Sequence, residues 1–115
     1  MKIMKSTATP TLLNKPVRIV ASASFNDMYG GIEAGLYIGI ALEILQKHPH
    51  DMLVFEMANE SCLQVRLAGY HLQTQKLNEK SVVFKTESLS IKTFWVKVDD
   101  YGTEYILTFL FPEDY

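Results

Sequence analysis

Apolar positions in this chain follow a strand period, then a helix period, then a strand period to the end. Residues 17–24 (VRIVASAS) alternate, with Val17, Ile19, Ala21 and Ala23 on one side, and this predicts a strand. Residues 26–49 (NDMYGGIEAGLYIGIALEILQKHP) carry a helical pattern opened by a double glycine. Asn26 or Asp27 is the expected N-cap, and Pro49 stops the helix by forcing His48 out of helical geometry. Strands follow at residues 52–57, 62–73, 81–87, 91–98 and 104–111. Within 62–73 the apolar phase switches after Gly69, from Leu63, Val65 and Leu67 to Tyr70 and Leu72. A bulge at Ala68–Gly69 accounts for the switch. DDYG at residues 99–102 is a hairpin turn. The last strand is apolar on both faces, so it is either central in its sheet or at a subunit contact.

The order β-α-β-β-β-β-β predicts an α+β domain with an antiparallel sheet of five or six strands. Projected at about 100° per residue, the helix places Gly31, Ala34, Gly35, Ile38 and Leu42 together, with Leu36 and Ile40 almost opposite. Only Glu33, Glu43 and Lys47 give a polar edge, so the helix is expected to be buried nearly all round. A curved sheet wrapped around a single long central helix achieves that; a flat sheet leaves one side for a partner subunit. Gly35 and Gly39 read as positions where the helix backbone approaches the sheet closely. Gly30 and Gly31 sit at the helix start, where unpaired N–H groups and the helix dipole accept a carbonyl oxygen or an anion.

A chain of 115 residues with 48% hydrophobic and 21% charged residues is long enough for a single core. Residues 1–15 are polar, with Pro10 and Pro16 as breakers, and read as an N-terminal arm to a domain spanning 16–115. The net charge is −2 and the lysines are scattered, which argues against a nucleic-acid surface. The N-terminus has lysines but no apolar segment of a signal peptide, and the apolar run at 30–45 is too short for a bilayer and carries Glu33 and Glu43. A single cysteine, Cys62, makes an internal disulfide impossible and fits a reducing cytoplasm. These features predict a cytoplasmic protein with no membrane partner.

The strand, polar loop, GG pair, long helix and following strands together resemble the hotdog fold over about residues 17–111. The segment Asn26-Asp27-Met28-Tyr29-Gly30-Gly31-Ile32, continuing to Ala34 and Tyr37, resembles the N…HGG or N…FGG segment of acyl-thioester hydrolases in that superfamily. It also resembles the D-x-x-G loop of a second thioesterase branch, with Asp27 and Gly30 in the matching places. The resemblance implies that a Gly30 or Gly31 amide polarises the thioester carbonyl and that Asp27 is general base or nucleophile. It places Asn26, Tyr29 and Glu33 on the substrate and implies a homodimer with the acyl-pantetheine arm between subunits. No cofactor or metal is expected. The chain departs from the pattern at Tyr29, where one branch has histidine, and at Tyr37 and Ile38, where that branch carries an acid. A non-catalytic hotdog is therefore the second form of this reading.

Each candidate also has a plainer role. Asp27 serves as an N-cap, Tyr29 as a packing ring, and Glu33 as an acid favoured by the first helical turn. His48 and His50 flank Pro49 without a third ligand, which makes a poor zinc site. His71 reads as an exposed strand histidine and Cys62 as a small buried side chain. A helix on an antiparallel sheet also describes cystatin-like binding, inhibitor or immunity modules, and this is the alternative to an acyl-thioester enzyme.

Overall fold

The computed structural model describes residues 10–60, 62–77, 81–85 and 91–115, for 81–85 the backbone only. Residues 1–9 of the expected arm and the end of the expected strand 81–87 lie outside these. The elements run β1 (Thr11–Leu12), β2 (Lys15–Ala21), α1 (Ala23–Tyr29), α2 (Ile32–Lys47), β3 (His50–Asn59), β4 (Cys62–His71), β5 (Ser81–Lys85), β6 (Phe94–Asp100) and β7 (Tyr105–Leu110). A 3₁₀ turn, Pro112–Asp114, follows. The described residues form an α+β fold: two helices and one curled sheet in the order β1-β2-β7-β6-β3-β4-β5. Leu12, in the segment read as an arm, is fully buried. The β1–β2 turn uses Leu13 and Asn14 at φ 50° and 65°, the geometry of two-residue hairpins.

Three local expectations hold. The helix stops at Lys47, with His48 as its C-cap ahead of Pro49. The register between β3 and β4 slips between His50 and Met52, which confirms a bulge but puts it at Gly69–Tyr70, one residue after the expected Ala68–Gly69. There Gly69 holds φ +74°, and an added Cβ would lie 1.8 Å from the Asp51 carboxylate, so only glycine fits. That carboxylate accepts the Tyr70 N–H at 2.9 Å. Finally, β7 is central, between β2 and β6.

Two expectations are corrected. The sheet is mixed, because β2 runs parallel to β7 in the register Val17↔Tyr105 to Ala21↔Phe109. A helical crossover returns the chain to the end of the sheet where it started, so the next strand runs parallel to the one before. Here β3 enters beyond β7 and β6, and the two later strands fill the gap. The second correction is the single long helix: α1 and α2 meet at Gly30–Gly31 with a bend of 112°. The cap of α1 lies four residues before Asn26, the first of the two expected caps. Ser22 is the N-cap, its Oγ accepting the Phe25 N–H at 3.2 Å, so Asn26 and Asp27 lie inside α1. At the break Gly31 adopts φ +76° and ψ −132°, and a Cβ on Gly30 would come within 2.8 Å of the Asn26 carbonyl oxygen.

The helices pack on the inner face of the sheet through Phe25 and Tyr29 of α1 and Tyr37, Ala41, Ile44 and Leu45 of α2. The side of α2 bearing Tyr37, not the one bearing Gly35 and Gly39, faces the core. The burial of a tyrosine ring outweighs the close approach that glycine permits. Ile32 is 94% exposed and Leu36 46% exposed, so α2 is not wrapped. An added Cβ at Gly35 or Gly39 meets nothing within 4 Å.

These geometries set opposite signs for alanine substitutions. Gly39→Ala is expected to raise monomer stability by about 0.5–1 kcal/mol, as for a glycine removed from a helix interior. Gly31→Ala is expected to lower it by about 1–2 kcal/mol, the cost of a left-handed backbone for an L residue. Thermal melts of the two variants at low protein concentration check both.

Candidate functional site

The polar residues at the helix junction separate rather than converge. Tyr29 is buried, and its hydroxyl accepts the Lys92 N–H at 2.8 Å, tying α1 to the segment before β6. Glu33, in the first turn of α2, accepts the Tyr37 hydroxyl at 2.6 Å. Burial pushes the Tyr37 phenol well above its ordinary range, and the Glu33 hydrogen bond adds to the shift. Glu33 thus holds a core ring in place. Asp27 is exposed on α1, and Gly30 and Gly31 are exposed at the bend.

One cleft opens beside this junction. Its volume is about 470 Å³, within the ~300–1,000 Å³ typical of small-molecule sites. The wall from the sheet is Ile19 and Ala21 of β2 with Phe109 of β7. The wall from the helices is Ala23, Phe25 and Asn26 of α1 with Ala34 and Ile38 of α2. The cleft exists because the helices diverge at the bend and because three of its lining residues are alanine. Asn26 is the one lining residue with a polar side chain, and the amide offers both donors and an acceptor. Of the six residues singled out in the sequence, Asn26 alone lines the cleft; Asp27, Tyr29, Gly30, Gly31 and Glu33 do not. Ile19, Ala21, Ala34, Ile38 and Phe109 carried no chemical signal, and only their placement on core-facing strands and on α2 could have pointed to them.

The chain matches no family model, no curated protein and no solved structure.

A second cleft, of about 540 Å³, lies past the far end of α2. Lys47 and His48 contribute from the helix end, and His50 from the start of β3. His71, Thr74, Lys76 and Leu77 contribute from the end of β4 and its turn. His71, read as an exposed strand histidine, is half-buried and meets the His50 ring edge-on at 5.3 Å between centroids. Among the described residues no group of three or more His, Cys, Asp or Glu could hold a metal ion. Cys62 is half-buried rather than buried.

The start of α1, whose Ala23, Phe25 and Asn26 line the first cleft, is tied to the 3₁₀ turn after β7. Asp114 accepts hydrogen bonds from Ser24 at 2.6 Å, Ser22 at 2.8 Å and the Phe111 N–H at 3.1 Å. One carboxylate therefore fixes the start of α1, including its N-cap serine. These bonds, Ser24 first and Ser22 next, hold the Asp114 carboxyl below its ordinary value. Since the folded value lies below the unfolded one, the stabilisation is present above the ordinary carboxylate range. It is lost as pH falls through the folded value. Asp114→Asn is therefore expected to lower the melting temperature at neutral pH. Its difference from the parent should close below about pH 3, where both carry an uncharged group; melts across pH 2–8, a range of roughly that width around carboxylate titration, measure it.

Proposed function

We propose that this chain is an acyl-ligand-binding protein that holds an apolar chain in the cleft between β2, β7 and the helix pair. The observation that carries the reading is the side chains of the lining: seven are aliphatic or aromatic and one is an amide, Asn26, and polar surface is exposed among them. Apolar walls recover the hydrophobic free energy of a hydrocarbon chain, and one amide suits an ester, thioester or carboxyl head. Of the two forms implied by the resemblance to hotdog thioesterases, binding fits this placement better than hydrolysis. The carboxylate of Asp27 is outside the cleft, and a general base has to come within hydrogen-bond reach of the reacting group.

The reading includes a second copy of the chain. The outer face of α2 carries Ile32 and Leu36 exposed beside Gly35 and Gly39. Two interior glycines cost the helix about 1 kcal/mol each, and among the described residues nothing packs close against either of them. On an antiparallel partner helix whose two-fold lies between residues 35 and 36, Ile32 faces Gly39 and Leu36 faces Gly35.

Binding of a fluorescent fatty acid and of acyl-CoA by the full chain tests the ligand. Ala34→Phe, which fills the cleft, is expected to weaken binding at least about tenfold, the scale of one well-placed apolar group. Asp27→Ala is expected to bind as the parent does. Turnover of acyl-CoA that disappears in Asp27→Ala would restore the hydrolase reading. Sedimentation tests the partner: Leu36→Lys should convert a dimer into the 13.1 kDa monomer, and a parent that is already monomeric at high concentration removes this part.

A further inference from the structure

The second cleft collects positive and hydrogen-bond-donating groups with no acid among them. Lys47 and Lys76 stand on opposite elements, and Thr74 adds a hydroxyl. None of the four ion pairs among the described residues engages either lysine. The adjacent carboxylates lie outside the lining: Glu43 is one helical turn before Lys47, and Asp51 is occupied by the Tyr70 N–H.

The turn that presents Thr74 and Lys76 is built, not loose. The Leu72 N–H donates to the Pro49 oxygen at 2.7 Å, locking the end of β4 to the start of β3. The His71 N–H donates to the Lys76 oxygen at 3.0 Å, and the Gln75 N–H to the His71 oxygen at 2.8 Å. His71 Nδ1 accepts the N–H groups of Gln73 and Thr74 at 3.1 and 3.3 Å. A nitrogen that accepts two N–H groups carries no proton, so the ring proton is on Nε2, and that nitrogen is a donor. The His50 ring behind it is 1% exposed and fixes the His71 ring from the side.

We propose that this cleft binds the phosphate group of a phosphate monoester. Two ammonium groups, an imidazole N–H and a hydroxyl approach from different elements. A tetrahedral dianion with several acceptor oxygens can use all of them, while a planar carboxylate cannot. Leu77, 66% exposed at the edge, offers an apolar ledge for the group that carries the phosphate. The site shares no residue with the apolar cleft and stands without it.

The test is an NMR titration of the full chain with inorganic phosphate at constant ionic strength. A parallel arm uses phosphatidylcholine vesicles with and without phosphatidic acid. Saturable shifts confined to the amides of His48, His71, Thr74 and Lys76 are expected. The double variant Lys47→Ala, Lys76→Ala should weaken binding by about tenfold or more, the scale of lost charge-assisted hydrogen bonds. Its replaced side chains are exposed, and Lys76→Gln alone gives the same direction with less perturbation. Response to free phosphate supports a soluble monoester. Binding only to phosphatidic-acid vesicles, lost in the same variants, supports the phosphate site with a lipid as its source. Unsaturating shifts spread over Lys15, Lys92 and Lys97, or variants that bind as the parent does, overturn the proposal.

Discussion

Gly31 holds the chain at φ +76° and ψ −132°, a backbone open to glycine and strained for any other residue. The 112° bend made there brings Tyr29, the last residue of α1, against Tyr37, in the second turn of α2, with ring centroids 5.3 Å apart. Phe25 then reaches Phe94 at 4.9 Å, and Phe94 stacks on Phe55 at 4.6 Å. Such pairs add about 0.5–1.5 kcal/mol each beyond the area they bury. A straight helix through residues 23–47 would carry one of the two tyrosines away from this cluster. The double glycine is thus a structural requirement of the core, whatever ligand reaches the cleft beside it.

The same constraint explains what could be read from the sequence. Features set by a residue and its immediate neighbours were legible. Pro49 ends α2, Gly69 marks the bulge opposite Asp51, and Gly102 at φ +84° closes the β6–β7 hairpin with its N–H on Asp100. Features that depend on distant partners were not. The apolar run predicts that residues 104–111 form a strand, but it cannot say that their neighbour is β2 running parallel. The helix break was hidden because Ile32 and Leu36 are apolar yet exposed, so the pattern looked like one helix buried on all sides. Alanines at 21 and 23 let the strand pattern run past its true end at Ala21, and this masked the Ser22 cap.

Chemistry-bearing residues proved a poor guide to the first cleft for a related reason. Glu33 and Tyr29 are polar in type but serve packing, since each satisfies a hydrogen-bonding group beside or within the core: the Tyr37 hydroxyl for Glu33 and the Lys92 amide for Tyr29. A buried polar atom without a partner is expensive, so a core rich in tyrosine recruits such neighbours. The apolar cleft is made by what its residues lack. Ala21, Ala23 and Ala34 leave space between elements, and no single-position signal marks that in a sequence.

Both clefts are organised by α2, one beside its first turns and one past its last, and its 16 residues span about 24 Å. Helix polarity bears differently on the two. At the C-terminal end the backbone carbonyls carry partial negative charge, which favours Lys47 there even without a ligand and opposes an anion. Lys47 alone is therefore weak testimony to an anion site. Lys76 and His71 have no such explanation. They come from the other side of the cleft, on a turn whose hydrogen bonds fix the His71 tautomer with its donor nitrogen unused by that turn. Because the helix end works against an anion, binding has to come from these opposing donors acting together. The contribution of Lys76 and His71, more than that of the helix lysine, decides whether the cleft is a site.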